Sequence, residues 1–200
     1  ETELFKAGFR KHPGYYRINP YEALEHDSRW ATIVLEKIPS HAMQKYPVAT
    51  LLEQRDLHTD MLRETGCRSD AHVIRYHLAA QYIRHGDTVL DAACGLGYGT
   101  YLMQACSFAK RTIGIDASNH AIEYACSNYA GCVSGLEYRL GFLPNALAEI
   151  PDNSVDLVTS FETLEHVEFP AALLKEYHRI LTPSGRILVS VPNDWSDESG

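Results

Sequence analysis

Two hundred residues with 18 basic and 26 acidic side chains, a net charge of −8 and 45% hydrophobic content describe a globular chain with room for one domain and an appendage. No run approaches the roughly 18 apolar residues of a membrane-spanning helix, and no signal-peptide pattern opens the chain. Five cysteines (Cys67, Cys94, Cys106, Cys126, Cys132) form no CxxC pair, which disfavours a disulfide framework or a zinc ribbon and favours a cytoplasmic protein with reduced thiols.

Charge divides unevenly: residues 1–86 carry a net +1 and residues 87–200 a net −9. A phosphate backbone needs clustered cations, so nucleic acid is not the expected partner. One basic and aromatic cluster, from Phe5 through Lys6, Arg10 and Lys11 to Arg17, reads as a solvated N-terminal arm. Asn19-Pro20 then opens a helix expected to stop before Pro39. A second helix is expected from about Val48 to Gly66, and a third from the caps Ser69 and Asp70 through Ile83. Three helices thus precede any strand, and residues 1–70 read as a helical N-terminal cap.

From Gly86 the rhythm becomes short apolar runs alternating with helical segments, the pattern of a parallel sheet with crossover helices. Strands are expected at Thr88 to Ala92, Thr112 to Asp116, Leu136 to Leu140, Val155 to Phe161 and Arg186 to Val191. Helices fall at about 98–107, 118–130 and 170–181, with turns at Gly86-Asp87, Pro151 to Ser154 and Pro183 to Gly185.

The run Val89-Leu90-Asp91-Ala92-Ala93-Cys94-Gly95-Leu96-Gly97-Tyr98-Gly99-Thr100 joins the first of these strands to a helix. A turn rich in glycine lets a ligand lie against backbone. A dinucleotide would need the third glycine of GxGxxG, where this chain has Thr100, and Asp91 would repel a pyrophosphate. Both features favour a ligand without phosphates. Asp116, at the end of the next strand, is placed to accept hydrogen bonds from ribose hydroxyls, and Ser118 to cap the helix that follows.

These segments, with Pro151 to Val158 and Arg179 to Pro192, resemble the class I S-adenosylmethionine-dependent methyltransferases over about residues 71–192. The resemblance implies a Rossmann-like α/β sheet that binds S-adenosylmethionine and releases S-adenosylhomocysteine. Arg75, Asp91, Ala93, Gly95, Gly97, Asp116, Ala117, Phe142, Leu143 and Glu162 would surround the cofactor. Ala93 stands where the family has glycine. Gly141-Phe142-Leu143 lacks the acid that often meets the adenine amine, so Phe142 or Leu143 would sandwich the base. Arg75 would reach the cofactor carboxylate or remain a surface cation.

Glu165-His166, after the fourth of these strands, is similar to the Glu-His element of methyltransferases acting on quinone precursors and sugars. His166 is either the base for a hydroxyl acceptor or, with Glu165, a residue that fixes the loop. The Arg75-Tyr76 pair and Cys94 to Gly99 resemble enzymes linked to polysaccharide biosynthesis, so the expected acceptor is a small molecule or glycan, with no metal. Two rivals are a noncatalytic module that binds the cofactor and an NAD-dependent oxidoreductase. The family's sheet usually has seven strands and five are placed here; the rest, with part of the acceptor pocket, are expected after Gly200. Oligomeric state is not legible.

Overall fold

A computed structural model describes residues 2–15, 34–47, 60–64 and 67–192. Five strands, β3 (Thr88–Ala92), β4 (Arg111–Asp116), β5 (Leu136–Leu140), β6 (Val155–Phe161) and β7 (Leu181–Ser190), form one parallel sheet in the order β5-β4-β3-β6-β7. β3 is buried along nearly its whole length, as a central parallel strand covered on both faces must be. This is the expected Rossmann-like sheet, and four of the five strands lie within one residue of the sequence reading. β7 starts five residues early, because Pro183 to Gly185 sits inside it as an irregularity: pairing jumps from Val155 opposite Leu181 to Leu157 opposite Arg186.

Helices sort by face. One core packs Val73, Tyr76 and Ala79 of α3 (Cys67–Gln81), Leu102 of α4 (Tyr98–Ala105) and Tyr124 of α5 (Asn119–Asn128) against Val89 and Leu157. The other packs Leu173, Tyr177 and Ile180 of α6 (Pro170–Ile180), with Leu147 and Ile150, against Leu90, Ile113, Ile115 and Val158. Ser118 caps α5 as expected, its Oγ accepting from the Ala121 N–H at 3.2 Å. The chain runs outward from β3 to β5 and returns to β6 on β3's other side, so the crevice beyond the strand ends at β3 and β6 is the topological switch point where such sheets bind ligands.

The N-terminal region departs from the reading. It holds α1 (Thr2–Lys6), α2 (Ser40–Lys45) and the start of α3, but also an antiparallel pair, β1 (Phe9–Lys11) with β2 (Leu35–Lys37). β2 occupies residues expected to be helical before Pro39; residues 20–33 of that expected helix lie outside the described residues. Residues 60–64 form a turn and not the end of a helix, because the Asp60 carboxylate accepts the Leu62 N–H at 3.0 Å. Residues 48–59 of the second expected helix also lie outside the described residues.

Nor is residues 2–15 a solvated arm. Arg10 is 1% exposed, ion-paired to Glu36 at 2.6 Å, bonded to the Asn128 carbonyl at 3.0 Å and stacked on the Tyr129 ring at 4.2 Å. Lys11, equally buried, donates to Ser69 Oγ at 2.9 Å. Ser69, expected to cap α3, lies within it and donates to the Met61 carbonyl at 2.7 Å. Arg10 and Lys11 of the basic cluster are therefore the bolt between the N-terminal ribbon and the helices of the sheet.

Candidate active site

The carboxyl ends of β3, β4 and β6 open onto a cavity of about 880 Å³, within the range that takes a cofactor-sized ligand. Its floor is the loop after β3. Ala93 at φ +62, Gly95 at +53 and Gly97 at +80 all take the left-handed region, which turns backbone toward the cavity at the first two. Gly97 instead faces the protein: a Cβ there would lie 2.5 Å from Ala125 Cβ and 2.6 Å from the Tyr138 ring. Its glycine serves packing of the loop on α5 and β5.

Asp116 knits two segments together. Oδ2 accepts the Gly95 N–H at 2.8 Å and Oδ1 the Ser118 N–H at 2.9 Å; each carboxylate oxygen can accept a further bond, and Asp116 lines the cavity. Beside it, Ala117, Gly141, Phe142 and Leu143 make an apolar wall, and Phe142 is 71% exposed. A cleft floored by backbone, with a fixed carboxylate and an apolar wall, suits an adenosyl group: ribose hydroxyls to Asp116, base to the wall. The residues present fit the cofactor that the motifs imply.

Of the twelve residues singled out, nine line this cavity: Ala93, Gly95, Asp116, Ala117, Phe142, Leu143, Glu162, Glu165 and His166. Gly97, Asp91 and Arg75 do not. Asp91 lies beneath the loop with no exposed surface; its carboxylate accepts from Thr100 Oγ1 at 2.7 Å, Thr159 Oγ1 at 2.9 Å and Tyr76 Oη at 3.4 Å. Burial outweighs those three bonds, and with the Asp116 charge nearby the Asp91 pKa is raised to about 7. The same burial, reinforced by Asp91, pushes the Cys94 thiol far up, so this cysteine is no nucleophile. Arg75 pairs with Glu162 at 3.1 Å. Glu162 also accepts from Ser190 Oγ at 2.7 Å and holds φ +50, a strained backbone position of the kind that clusters at functional sites.

Glu165 and His166 sit on the short 3-10 turn Leu164–His166 with carboxylate and imidazole 4.0 Å apart; the His166 side chain is 69% exposed. An exposed imidazole at the cavity rim is free to meet a proton-bearing acceptor.

Sequence reasoning named Tyr76 only as the neighbour of Arg75 and missed Arg68 and His72, so the wall supplied by α3 went unread. Arg68, His72 and Tyr76 all line the cavity, with Met61 beside them. Their spacing of four residues, which puts them on one helix face, was the available signal. Tyr76 packs edge-on against Tyr98 and Phe161, at 5.5 and 5.1 Å between ring centroids.

The sheet order and the cleft at its switch point define a Rossmann-like class I methyltransferase scaffold. Residues 90–189 match the methyltransferase domain family, and the chain belongs to it; S-adenosylmethionine is the methyl donor that goes with this family. A Mycolicibacterium smegmatis protein, named as a probable S-adenosylmethionine-dependent methyltransferase, is 35% identical over 124 residues, 60% of this chain and 44% of its own length. Phosphoethanolamine N-methyltransferase 3 of Arabidopsis thaliana is 31% identical over 108 residues, 54% of this chain and 21% of its own. The chain thus spans less than half the length of these relatives. Among solved structures, a protein of Pyrococcus horikoshii superposes with TM-score 0.53 at 26% identity, over 66% of this chain and 60% of that one. Among the described residues, no helix is long and apolar enough to cross a membrane, and no cluster of histidine, cysteine or carboxylate side chains is arranged to hold a metal ion.

Proposed function

We propose that this chain binds S-adenosylmethionine and moves its methyl group to a hydroxyl of a small molecule or sugar, with the described part of residues 1–70 capping the acceptor side. One observation carries the reading: Asp116 clasps the Gly95 amide at the point where β3, β4 and β6 open onto a single cavity. When bound, the cofactor supplies a methyl group on a positively charged sulfur. Ala93 and Gly95 present backbone to its amino-acid end, Asp116 holds the ribose, and Ala117, Phe142 and Leu143 flank the base. Transfer from a sulfonium is a displacement in which positioning lowers much of the barrier. His166 takes the acceptor's proton at an imidazole nitrogen, and Glu165 stabilises the imidazolium formed. The rim carboxylates Glu162, Glu165 and Glu168, and the kinship with a phosphoethanolamine N-methyltransferase, favour an amine as the second reading of the acceptor.

Calorimetry with S-adenosylhomocysteine tests the core of the proposal. Micromolar binding is expected, weakened at least tenfold in Asp116→Asn with an unchanged circular dichroism spectrum. No binding at millimolar ligand would overturn the enzyme reading, and binding without transfer to any nucleotide sugar, glycan or amine in a screen would favour a noncatalytic module. His166→Ala that keeps S-adenosylhomocysteine affinity should lose turnover by about 10²-fold or more; undiminished turnover removes the base role.

A further inference from the structure

Arg68, His72 and Tyr76 follow one another along the face of α3 that borders the cavity. Tyr76 is the innermost: its ring covers Gly99, where a Cβ would come within 2.2 Å of it, and it touches Phe161 at the end of β6. At 1.5 Å of rise per residue, His72 and Arg68 stand about 6 and 12 Å along the helix axis from Tyr76, the residue that meets Gly99. Both line the cavity at a distance from the contact of Tyr76 with Gly99.

The two arginines of α3 differ in their partners. Arg75 is paired with Glu162, whereas Arg68 has no hydrogen-bond or ion-pair partner among the described residues. His72 is half-buried; burial, then Arg75 and Arg68, lower its pKa, against an opposing pull from Glu162. The same cavity is lined by Glu162, Glu165, His166 and Glu168. Among the described residues Arg68 is therefore a cavity-lining cation that no carboxylate pairs with, in a cleft that also carries carboxylates.

We propose that Arg68 and His72 seat an anionic group of the methyl acceptor, a phosphate or a carboxylate, so that the acceptor's reacting end is turned toward Glu165 and His166. A guanidinium fork matches either anion with two parallel hydrogen bonds, and an imidazole one helical turn away supplies a third donor. This assignment rests on the methyltransferase reading and narrows it to acidic or phosphorylated acceptors. The cofactor's own carboxylate has the same chemistry, so the test must separate the two sources.

Inorganic phosphate is titrated into protein already saturated with S-adenosylhomocysteine, and the His72 ring proton, assigned with His72→Gln, is followed by NMR across pH 5 to 8. The expected result is saturable phosphate binding that raises the His72 pKa by about one unit. Arg68→Gln should weaken phosphate at least fivefold while S-adenosylhomocysteine affinity stays within twofold. If saturation with S-adenosylhomocysteine abolishes phosphate binding, the site belongs to the cofactor carboxylate and the proposal falls. It falls equally if phosphate leaves His72 unmoved, or acts alike on Arg68→Gln and the parent. The preceding S-adenosylhomocysteine titration is a separate reading: no binding there overturns the methyltransferase proposal and this one with it, whereas normal binding with no phosphate response overturns this one alone.

Discussion

Asp91 and Ala93 are two residues apart and illustrate different costs of building the glycine loop. Asp91 is a carboxyl group with no exposed surface whose pKa is raised from 3.8 to about 7 by burial, despite bonds from Thr100, Thr159 and Tyr76. A group whose folded pKa lies above its unfolded one contributes stability that is full below the unfolded value and is lost as pH rises through the folded value. For Asp91 the window runs from about 4 to about 7. Asp91→Asn stays neutral throughout, so its stability relative to the parent should improve by about 2–3 kcal/mol between pH 5 and pH 8. Urea melts of the two proteins at both pH values check this; an offset independent of pH would mean that Asp91 does not take up a proton in that range. Ala93 holds φ +62, where an L side chain costs roughly 1 kcal/mol or more and glycine does not. Ala93→Gly should therefore raise stability by about 1 kcal/mol, read as a shift in urea midpoint with unchanged slope. A fall in midpoint would show that the Ala93 methyl packs usefully enough to outweigh its strain.

At the scale of elements, what could be read from the sequence was whatever depends on local pattern. Strands β3 to β6 are buried runs bounded by turn residues, and α5 announces itself by Ser118. Asp116 and Gly95 were legible as a pair because the spacing between consecutive strand ends is set by one crossover helix. Elements whose partners are remote in sequence were not legible. β1 and β2 are three residues each, too short to show alternation, and each exists because the other is there to pair with. The same holds for individual side chains. Nothing local distinguishes Arg75, tied to Glu162 87 residues away, from Arg68, which lines the cavity. Gly97 reads as a ligand-loop glycine, yet the atoms that require it, on Ala125 and Tyr138, belong to α5 and β5. Fixed packing of the loop on these elements, and not only its glycine content, is what presents Ala93 and Gly95 to the cavity.

At the scale of the whole molecule, the N-terminal ribbon and the sheet are held together by charges buried in an otherwise acidic protein. Arg10 is the centre of this contact. It joins Glu36 on β2, itself bonded by Tyr101 Oη at 2.9 Å, to the Asn128 carbonyl at the end of α5 and to the Tyr129 ring. Nearby, Asp60 accepts from Tyr124 and Tyr129 at 2.8 and 2.6 Å, and Lys11 reaches Ser69 on α3. The helix that lines the cavity with Arg68, His72 and Tyr76 is thus seated by the same contact that docks the ribbon. Removing one member of a buried ion pair leaves its partner short of a counter-charge and typically costs 3–5 kcal/mol; because Glu36 is 19% exposed and keeps the Tyr101 bond, the lower end applies. Arg10→Ala should cost about 3 kcal/mol, whereas Lys6→Ala, which breaks an exposed pair with Glu3, should leave the urea midpoint unmoved. Amide hydrogen exchange decides whether the loss is local or shared. If the ribbon and the sheet unfold as one unit, protection in Arg10→Ala falls by the same factor in β3 as in β1. If protection falls in β1 and β2 alone, the ribbon is a separately opening flap and α3 is carried by the sheet without it.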